Sequence, residues 1–328
     1  MTTATGPRLL GDIGGTHARF AWQSAPGAPL TDIATYWCAE HGSLALTLRE
    51  YLDDHGRAAP PWCALGIANP VTGDVVTMTN HHWSFSVSAL QREMGFERLV
   101  VINDFTALAL ALPLLPPDAL QQLGGGAGHP GAPLAVIGAG TGLGVSGLLR
   151  SHGGPAVAIN GEGGHVTLAA MDDREAEVIA MLRRRFGHVS AERVLSGPGL
   201  TNLHSALAAL GNHADAPLGP AEVIARAREG ADPLCCEAID LFCRFLGSAA
   251  GDLALTLGAR GGVYIGGGIA PRLLPELRTS RLRERFEGKG RFAAYLAPIP
   301  VWVIDTPASP AFLGAAIALD QAIAAEAR

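Results

Sequence analysis

The chain has 328 residues, 48% of them hydrophobic, and a formal net charge of -6. That length exceeds one compact domain and points to two. The acidic balance, with a pI near 6.0, leaves no electrostatic footprint for nucleic acid or an anionic membrane. Nearly all positive charge is arginine, because Lys289 is the single lysine. The five cysteines, Cys38, Cys63, Cys235, Cys236 and Cys243, are odd in number and form no CxxC pair. They read as reduced, mostly buried thiols of a cytoplasmic protein, neither a disulfide framework nor a zinc site. Met1–Pro7 lacks the apolar core of a signal peptide. The longest apolar run, Phe105–Pro117, is too short and proline-interrupted to span a bilayer, so a soluble protein is expected.

In chain order, Arg8–Asp12 reads as a buried strand entering a glycine turn, with Ala18–Gln23 as the return strand. Ser43–Asp54 has helical spacing of Leu44, Leu48, Tyr51 and Leu52, with Ser43 as N-cap. Cys63–Ala68 and Val75–Met78 read as strands, Ser86–Met94 as a short helix, and Leu99–Asn103 as a strand followed by helix Phe105–Leu112. Gly124–Pro133, rich in glycine and proline, reads as a linker. Then come strand Leu134–Ile137, turn Gly138–Gly144 and return strand Val145–Leu149. Helices follow at Arg174–Phe186, Gly199–Leu210, Ala221–Arg228 and Leu234–Leu257. Strand Gly262–Ile265 runs into three glycines, and the chain closes with strand Val301–Ile304 and helix Ala311–Ala325. The mixture predicts an α/β protein. A strand–glycine turn–strand pattern occurs twice, at Leu9–Gln23 and Leu134–Leu149, which suggests two related domains.

Three glycine loops stand out. Gly11-Asp12-Ile13-Gly14-Gly15-Thr16 could let backbone N–H groups approach phosphate oxygens, with Thr16 adding a hydroxyl and Asp12 placed to bind magnesium directly or through water; an ordinary hairpin turn is the other reading. Gly138-Ala139-Gly140-Thr141-Gly142-Leu143-Gly144 has more glycine than a turn requires. Gly266-Gly267-Gly268-Ile269 follows a buried strand and admits a flat ligand against the backbone. A nucleotide triphosphate is the economical ligand for all three. A P-loop needs Gly-Lys-Ser/Thr, and Lys289 sits in Gly288-Lys289-Gly290, so that plan is excluded, as is the protein-kinase plan with its strand lysine. Gly142–Gly147 matches GxGxxG and Glu162 lies twenty residues beyond Gly142. Even so, Leu148–Pro155 cannot continue the helix that a dinucleotide fold requires there.

Asn103-Asp104 closes an apolar strand. Its carboxylate is either placed for catalysis at a strand's C-terminal end or caps the helix that follows. Gly161-Glu162-Gly163-Gly164-His165 puts Glu162 and His165 on a flexed loop, where hydroxyl recognition is a better reading than a metal, since a di-metal bundle needs further carboxylates. Glu192, in His188–Glu192 before Ser196-Gly197-Pro198-Gly199, adds a carboxylate or is a surface residue of a first helical turn. Carboxylates, amide and imidazole together suit a polyhydroxylated ligand, and such a site rejects analogues that lack a hydroxyl.

These motifs, with Ala18-Arg19, Ile102–Phe105, Ser190–Gly199 and Thr79–Phe85, occur in the order seen in bacterial glucokinases, and the chain resembles that family from Leu9 to about Leu319. The resemblance implies the actin-like sugar kinase (ribonuclease H-like) fold, two α/β domains flanking a cleft, with 1–114 plus 306–328 as the small domain and 115–305 as the large one. It implies a homodimer that uses ATP and Mg2+ to phosphorylate the 6-hydroxyl of glucose. Asp104 would be the general base; Asn103, Glu162, His165 and Glu192 would hold other hydroxyls. Gly11–Thr16 and the second loop (Gly138, Gly140, Thr141, Gly142) would surround the phosphates, and Gly266, Gly267 and Gly268 would lie near adenosine. His17 stands where the family commonly has Asn, and Asn160 where Pro is common. The cysteine-rich zinc loop of related repressors and kinases is absent, which favours the zinc-free branch.

The expected mechanism is in-line transfer of the γ-phosphoryl, resting on positioning and electrostatics. Asp104 needs no raised pKa for this, because a loose transition state makes the hydroxyl acidic only late. The competing expectations are a kinase for mannose, fructose or an N-acetylhexosamine, and a non-catalytic sugar sensor. The sensor would need a DNA-binding module ahead of the first strand, where the chain has only a few residues.

Overall fold

The computed structural model describes residues 5–79, 81–150, 154–213, 217–230, 232–307 and 309–326. Part of Met1–Pro7, Asn80 of the Thr79–Phe85 run and part of Leu148–Pro155 lie outside the described residues. By its contacts the chain forms two units: Met1–Leu115 with Gly153–Asn160 and Thr306–Arg328, and Pro116–His152 with Gly161–Asp305.

The first stretch supplies β1 (Arg8–Ile13), β2 (His17–Gln23), β3 (Leu30–Trp37), α1 (Leu44–Asp54), β4 (Trp62–Ile67), β5 (Val75–Thr77), β6 (Ser84–Ser86), α2 (Val87–Met94), β7 (Arg98–Asn103) and α3 (Asp104–Ala111). The second unit opens with β8 (Leu120–Gln122), β9 (Leu134–Ala139) and β10 (Leu143–Leu149). The chain gives β11 (Val157–Asn160) to the first unit. It then builds α4 (Asp173–Phe186), α5 (Gly197–Leu210), α6 (Pro220–Glu229), α7 (Pro233–Leu257), β12 (Gly262–Gly266), α8 (Leu274–Thr279), α9 (Leu282–Glu287), α10 (Ala293–Leu296) and β13 (Val301–Ile304) in the second. Helix α11 (Ala311–Glu326) belongs to the first.

In the first unit the strands run β3-β2-β1-β4-β7. The β1–β2 and β2–β3 pairs are antiparallel, and β1, β4 and β7 are parallel. Side chains alternate across β1: Leu9 and Ile13 join Phe20, Leu48 and Tyr51 on one face, while Leu10 meets Ala64, Phe312 and Leu319 on the other. Covering both faces is why these strands read as continuous apolar runs. The buried Arg8 ties β1 to α11 through Asp320 at 2.7 Å.

In the second unit the strands run β10-β9-β12-β13-β8. β9–β10 is antiparallel, β9, β12 and β13 are parallel, and β8 is antiparallel to β13. Its core gathers Ile137, Val263 and Val303 with Phe242 and Phe245 of α7. The Gly142–Gly147 segment lies in a turn and in β10, a strand and not the helix of a dinucleotide site.

Gly124–Pro133 is a correction. It is no linker between units but a docked segment of the second one. Gly126 N–H donates to Pro298 O at 3.0 Å and His129 N–H to Arg260 O at 2.8 Å. Gly125 has φ +84° and its Cα faces Ile299 and Pro300 so closely that any Cβ would overlap them, so glycine is required there. Residues 154–160 are a second difference from the sequence division, which kept them in the larger domain. Here β11 packs on α3, and the Thr106 hydroxyl donates to Asn160 Oδ1 at 2.5 Å. Strand β3, whose residues alternate between exposed and half-buried, was not read from the sequence.

Among the described residues no helix is long and apolar enough to cross a membrane, and the five cysteines are unbridged.

Candidate active site

The sequence-selected residues fall into two sets, one in each unit. In the first unit, β1 carries Gly11, Asp12 and Ile13 before the turn Gly14-Gly15-Thr16. Gly11 and Ile13 are buried in the strand, and Leu65 and Phe20 fill the space a Gly11 side chain would need. The turn itself is more open, with Thr16 exposed. Its backbone is pinned: Gly14 N–H donates to His17 O at 2.9 Å, and Cys38 N–H donates to Thr16 O at 2.9 Å. The Cys38 thiol adds a weak bond to Gly14 O at 3.5 Å. His17, the departure from the family pattern, places its ring 4.3 Å from that of Trp37.

Asp12 accepts from the Ser309 hydroxyl at 2.7 Å and from Arg19 Nη1 at 3.2 Å, both on Oδ2. Its side chain remains 15% exposed. A hard carboxylate oxygen that still reaches solvent suits magnesium, which keeps several waters and takes one or two carboxylates beside phosphate oxygens.

The end of β7 separates the two roles that the sequence left open for Asn103-Asp104. Asn103 is the N-cap of α3, its Oδ1 accepting from Phe105 N–H at 2.9 Å and Thr106 N–H at 3.1 Å. That frees Asp104, the first residue of the helix, from the capping task. Asp104 Oδ1 accepts from Asn103 Nδ2 at 3.0 Å and Phe105 N–H at 2.9 Å. Burial pushes the Asp104 carboxyl up to about 6, and the negative charge of Asp12 adds to this; the bonds from Phe105, its own backbone and Asn103 oppose the shift. A raised value was not expected from the sequence, and the physical reason is desolvation outweighing hydrogen bonding. Asn69 was not selected from the sequence either. Nearly buried, it accepts from Thr79 N–H at 2.9 Å and from the Thr79 hydroxyl at 2.6 Å, and its carbonyl faces Asn103 Nδ2 at 3.5 Å. The only signal for it was Asn69-Pro70 stopping β4.

In the second unit, Gly138 is buried in β9, and Gly140, Thr141 and Gly142 form the β9–β10 turn, with Thr141 exposed. Gly140 N–H donates to Gly142 O, and Gly197 N–H of α5 donates to Gly140 O, each at 2.8 Å. Glu192 Oε2 accepts from Leu143 N–H at 3.0 Å. A Cβ on Gly142 would overlap that carboxylate, so the loop needs glycine here for the approach of Glu192. Gly266 ends β12, Gly267 and Gly268 are exposed, and Ile269 N–H donates to Ala139 O at 3.2 Å, which draws the third loop to the second.

Glu162 and His165 are exposed around a short 3-10 turn, Gly163–His165. His165 Nδ1 lies 4.0 Å from Glu192 Oε1. The structure thus brings His165, Glu192 and the second glycine loop together, a link the sequence separation of Gly142 and Glu192 hid. Lys289 is engaged elsewhere, with Asp252 at 2.7 Å and Ser248 O at 3.0 Å, in keeping with its exclusion from phosphate chemistry.

Comparison with known proteins matches a family model described as Glucokinase over residues 9–322. The chain is 57% identical to a glucokinase of Aromatoleum aromaticum, over 98% of this chain and 97% of that one. Among solved structures it is similar to a glucokinase from an Antarctic psychrotroph, with a TM-score of 0.86 and 38% identity over 96% of this chain and 99% of the other. A Balamuthia mandrillaris glucokinase solved with glucose shares the fold, with a TM-score of 0.79 at 21% identity over 96% of this chain and 93% of that one.

Proposed function

The chain belongs to the glucokinase family and phosphorylates the 6-hydroxyl of glucose with ATP, and we propose that Asp104 is the base for that transfer. The observation that carries this is the carboxylate at the end of β7, relieved of capping by Asn103 and pushed up to about 6 by burial. Such a group is ionised at neutral pH yet basic enough to take a proton late in the reaction. As O6 bonds to the γ-phosphorus, the bond from that phosphorus to the β,γ-bridging oxygen breaks, ADP leaves and the O6 proton passes to Asp104.

Asn103, Glu162, His165 and Glu192 hold other sugar hydroxyls in this reading. Carboxylates accept from hydroxyls, while Asn and His can serve as donors. The Gly11–Thr16 and Gly138–Gly142 loops receive the phosphates through backbone N–H groups, as the lack of any lysine but Lys289 requires, and Gly266–Gly268 lies by adenosine. Asp12 would hold magnesium, which supplies neutralisation of phosphate charge. A cytoplasmic homodimer completes the proposal. It rests on the family resemblance and on the unbridged thiols, and light scattering on the purified chain tests the dimer.

The test of function is ADP release with MgATP and glucose, mannose, fructose or N-acetylglucosamine in turn. Glucose should give the highest kcat/KM by a wide margin. Asp104→Asn should lower kcat by about 10²–10⁴; near-normal turnover would remove Asp104 from this role. A higher kcat/KM for another sugar would move the substrate assignment to that hexose.

A further inference from the structure

Helix α7 begins Asp232-Pro233-Leu234-Cys235-Cys236, and Asp232 caps it: Oδ1 accepts from Leu234 N–H at 3.0 Å and Cys235 N–H at 3.2 Å. Those bonds fix the carboxylate while its second oxygen stays off the helix, 3.7 Å from Arg226 Nη1. Arg226 has a closer partner in Glu222 at 2.5 Å. Cys235 is buried beside the carboxylate. From the neighbouring helix α5, His204 brings an imidazole that is only 2% exposed. Its Nδ1 is buried with no hydrogen-bond partner among the described residues. A buried polar atom of this kind calls for an explanation.

One donor atom from each of His204, Asp232 and Cys235 lies within 4.8 Å of the other two. Donors around a tetrahedral ion with bonds of zinc length sit about 3.5 Å apart. The 4.8 Å limit is about 1.3 Å above that spacing, and imidazole, thiolate and carboxylate are the donor types such an ion takes.

We propose that His204, Asp232 and Cys235 bind one divalent transition-metal ion of the zinc class, with water as the fourth ligand. Binding exchanges the Cys235 thiol proton for the metal, so one proton is released per ion. The ion ties α5 to α7. Because the first residue of α5, Gly197, holds the Gly140 carbonyl at 2.8 Å, the clasp steadies the helix beneath the second glycine loop. The site is unrelated to the cysteine-rich zinc loop that the chain lacks. Its ligands are spread over two helices without a repeated Cys spacing, which is why the sequence pattern does not reveal it.

The test uses the full purified chain, stripped with a chelator and titrated with Co2+ and then Zn2+. One equivalent of Co2+ should give near-ultraviolet thiolate-to-cobalt absorbance, and Zn2+ should displace it and raise the Tm. Cys235→Ser and His204→Gln should weaken Co2+ binding at least about tenfold and abolish the Zn2+ effect on Tm. Glucose phosphorylation should stay within about twofold of the unaltered chain, since neither residue is a ligand of substrate in the reading above. Cys236→Ser should keep the band. A folded, active chain with no thiolate–cobalt band, or a band that survives Cys235→Ser, would overturn the site and leave Asp232 as a helix cap alone.

Discussion

The two units repeat one strand plan and use it differently. β2-β1-β4-β7 and β10-β9-β12-β13 are both an antiparallel pair followed by two parallel strands. Within that frame Asp12, paired with Arg19 and Gly66, matches Gly138, paired with Gly144 and Gly266. The first unit puts charge at this row and a helix starting with Asp104 right after β7. The second puts bare backbone there, and its carboxylate, Glu192, comes from outside the sheet to hold the turn. The turns are therefore fastened by different means: backbone to β3's end in the first, a side chain in the second. In the function proposed above, both turns offer backbone N–H groups to phosphates, and the first unit alone adds a proton acceptor, Asp104.

The largest effect expected falls on the charged row. Asp104→Asn should cost about 10²–10⁴ in kcat while making the protein more stable. A carboxyl moved from 3.8 to about 6 in the folded chain binds protons more tightly folded than unfolded. Stability is therefore lost as pH rises from about 4 to about 6, by up to about 3 kcal/mol at neutral pH. The amide substitution removes that loss, so its Tm should exceed that of the unaltered chain at pH 7 and match it below about pH 4. The same proton sets kcat/KM, which should rise with pH to a plateau above about 6. An unchanged Tm difference across this range would show that burial does not shift Asp104.

Smaller effects should separate fastening from ligand contact in the second unit. Gly142→Ala forces Glu192 off Leu143 N–H and should destabilise by about 1–3 kcal/mol with a raised KM for ATP. At Gly140 no atom lies within 4 Å of an added Cβ, so Gly140→Ala should leave the Tm nearly unchanged and raise only the KM for ATP. Glu192→Gln keeps an oxygen for Leu143 and should raise chiefly the KM for glucose. Glu192→Ala, losing the tie as well, should raise both constants. Equal effects of the two Glu192 variants on the ATP constant would mean the tie is idle.

How much of this was legible follows from where each signal resides. Strands β1, β4 and β9 are buried on both faces, so their apolar runs and terminal glycines show in the sequence, as does Ser43 capping α1 through Leu46 N–H at 3.2 Å. Strand β3 alternates exposed and half-buried residues but sets Ile33 and Trp37 on its exposed side and Asp32 on the other, a weaker signal that passed for loop. Gly124–Pro133 has a linker's composition because close backbone approach to Ile299 and Pro300 also selects glycine. For the candidate site, the motif order singled out Asn103, Asp104, Glu162, His165 and Glu192. Local sequence could not say that Asn103 takes the cap and leaves Asp104 free, nor that Glu192 reaches Leu143 forty-nine positions away. The first is decided by backbone geometry at the end of β7, where two neighbouring residues are both good caps, and the second by a tertiary contact that no local pattern encodes.

The smallest effect expected tests the backbone fastening of the first unit. Cys38 is fully buried and its thiol reaches Gly14 O at 3.5 Å, so it looks like the counterpart of Glu192. Its stronger contact is the N–H bond to Thr16 O at 2.9 Å, which no side-chain substitution removes. Cys38→Ala should therefore cost about 1 kcal/mol, from lost packing and a weak thiol bond. The KM for ATP should move less than about twofold, against a clear rise for Glu192→Ala. If the two variants instead weaken ATP binding equally, the thiol fastens the first turn as the carboxylate fastens the second, and the units differ in chemistry alone.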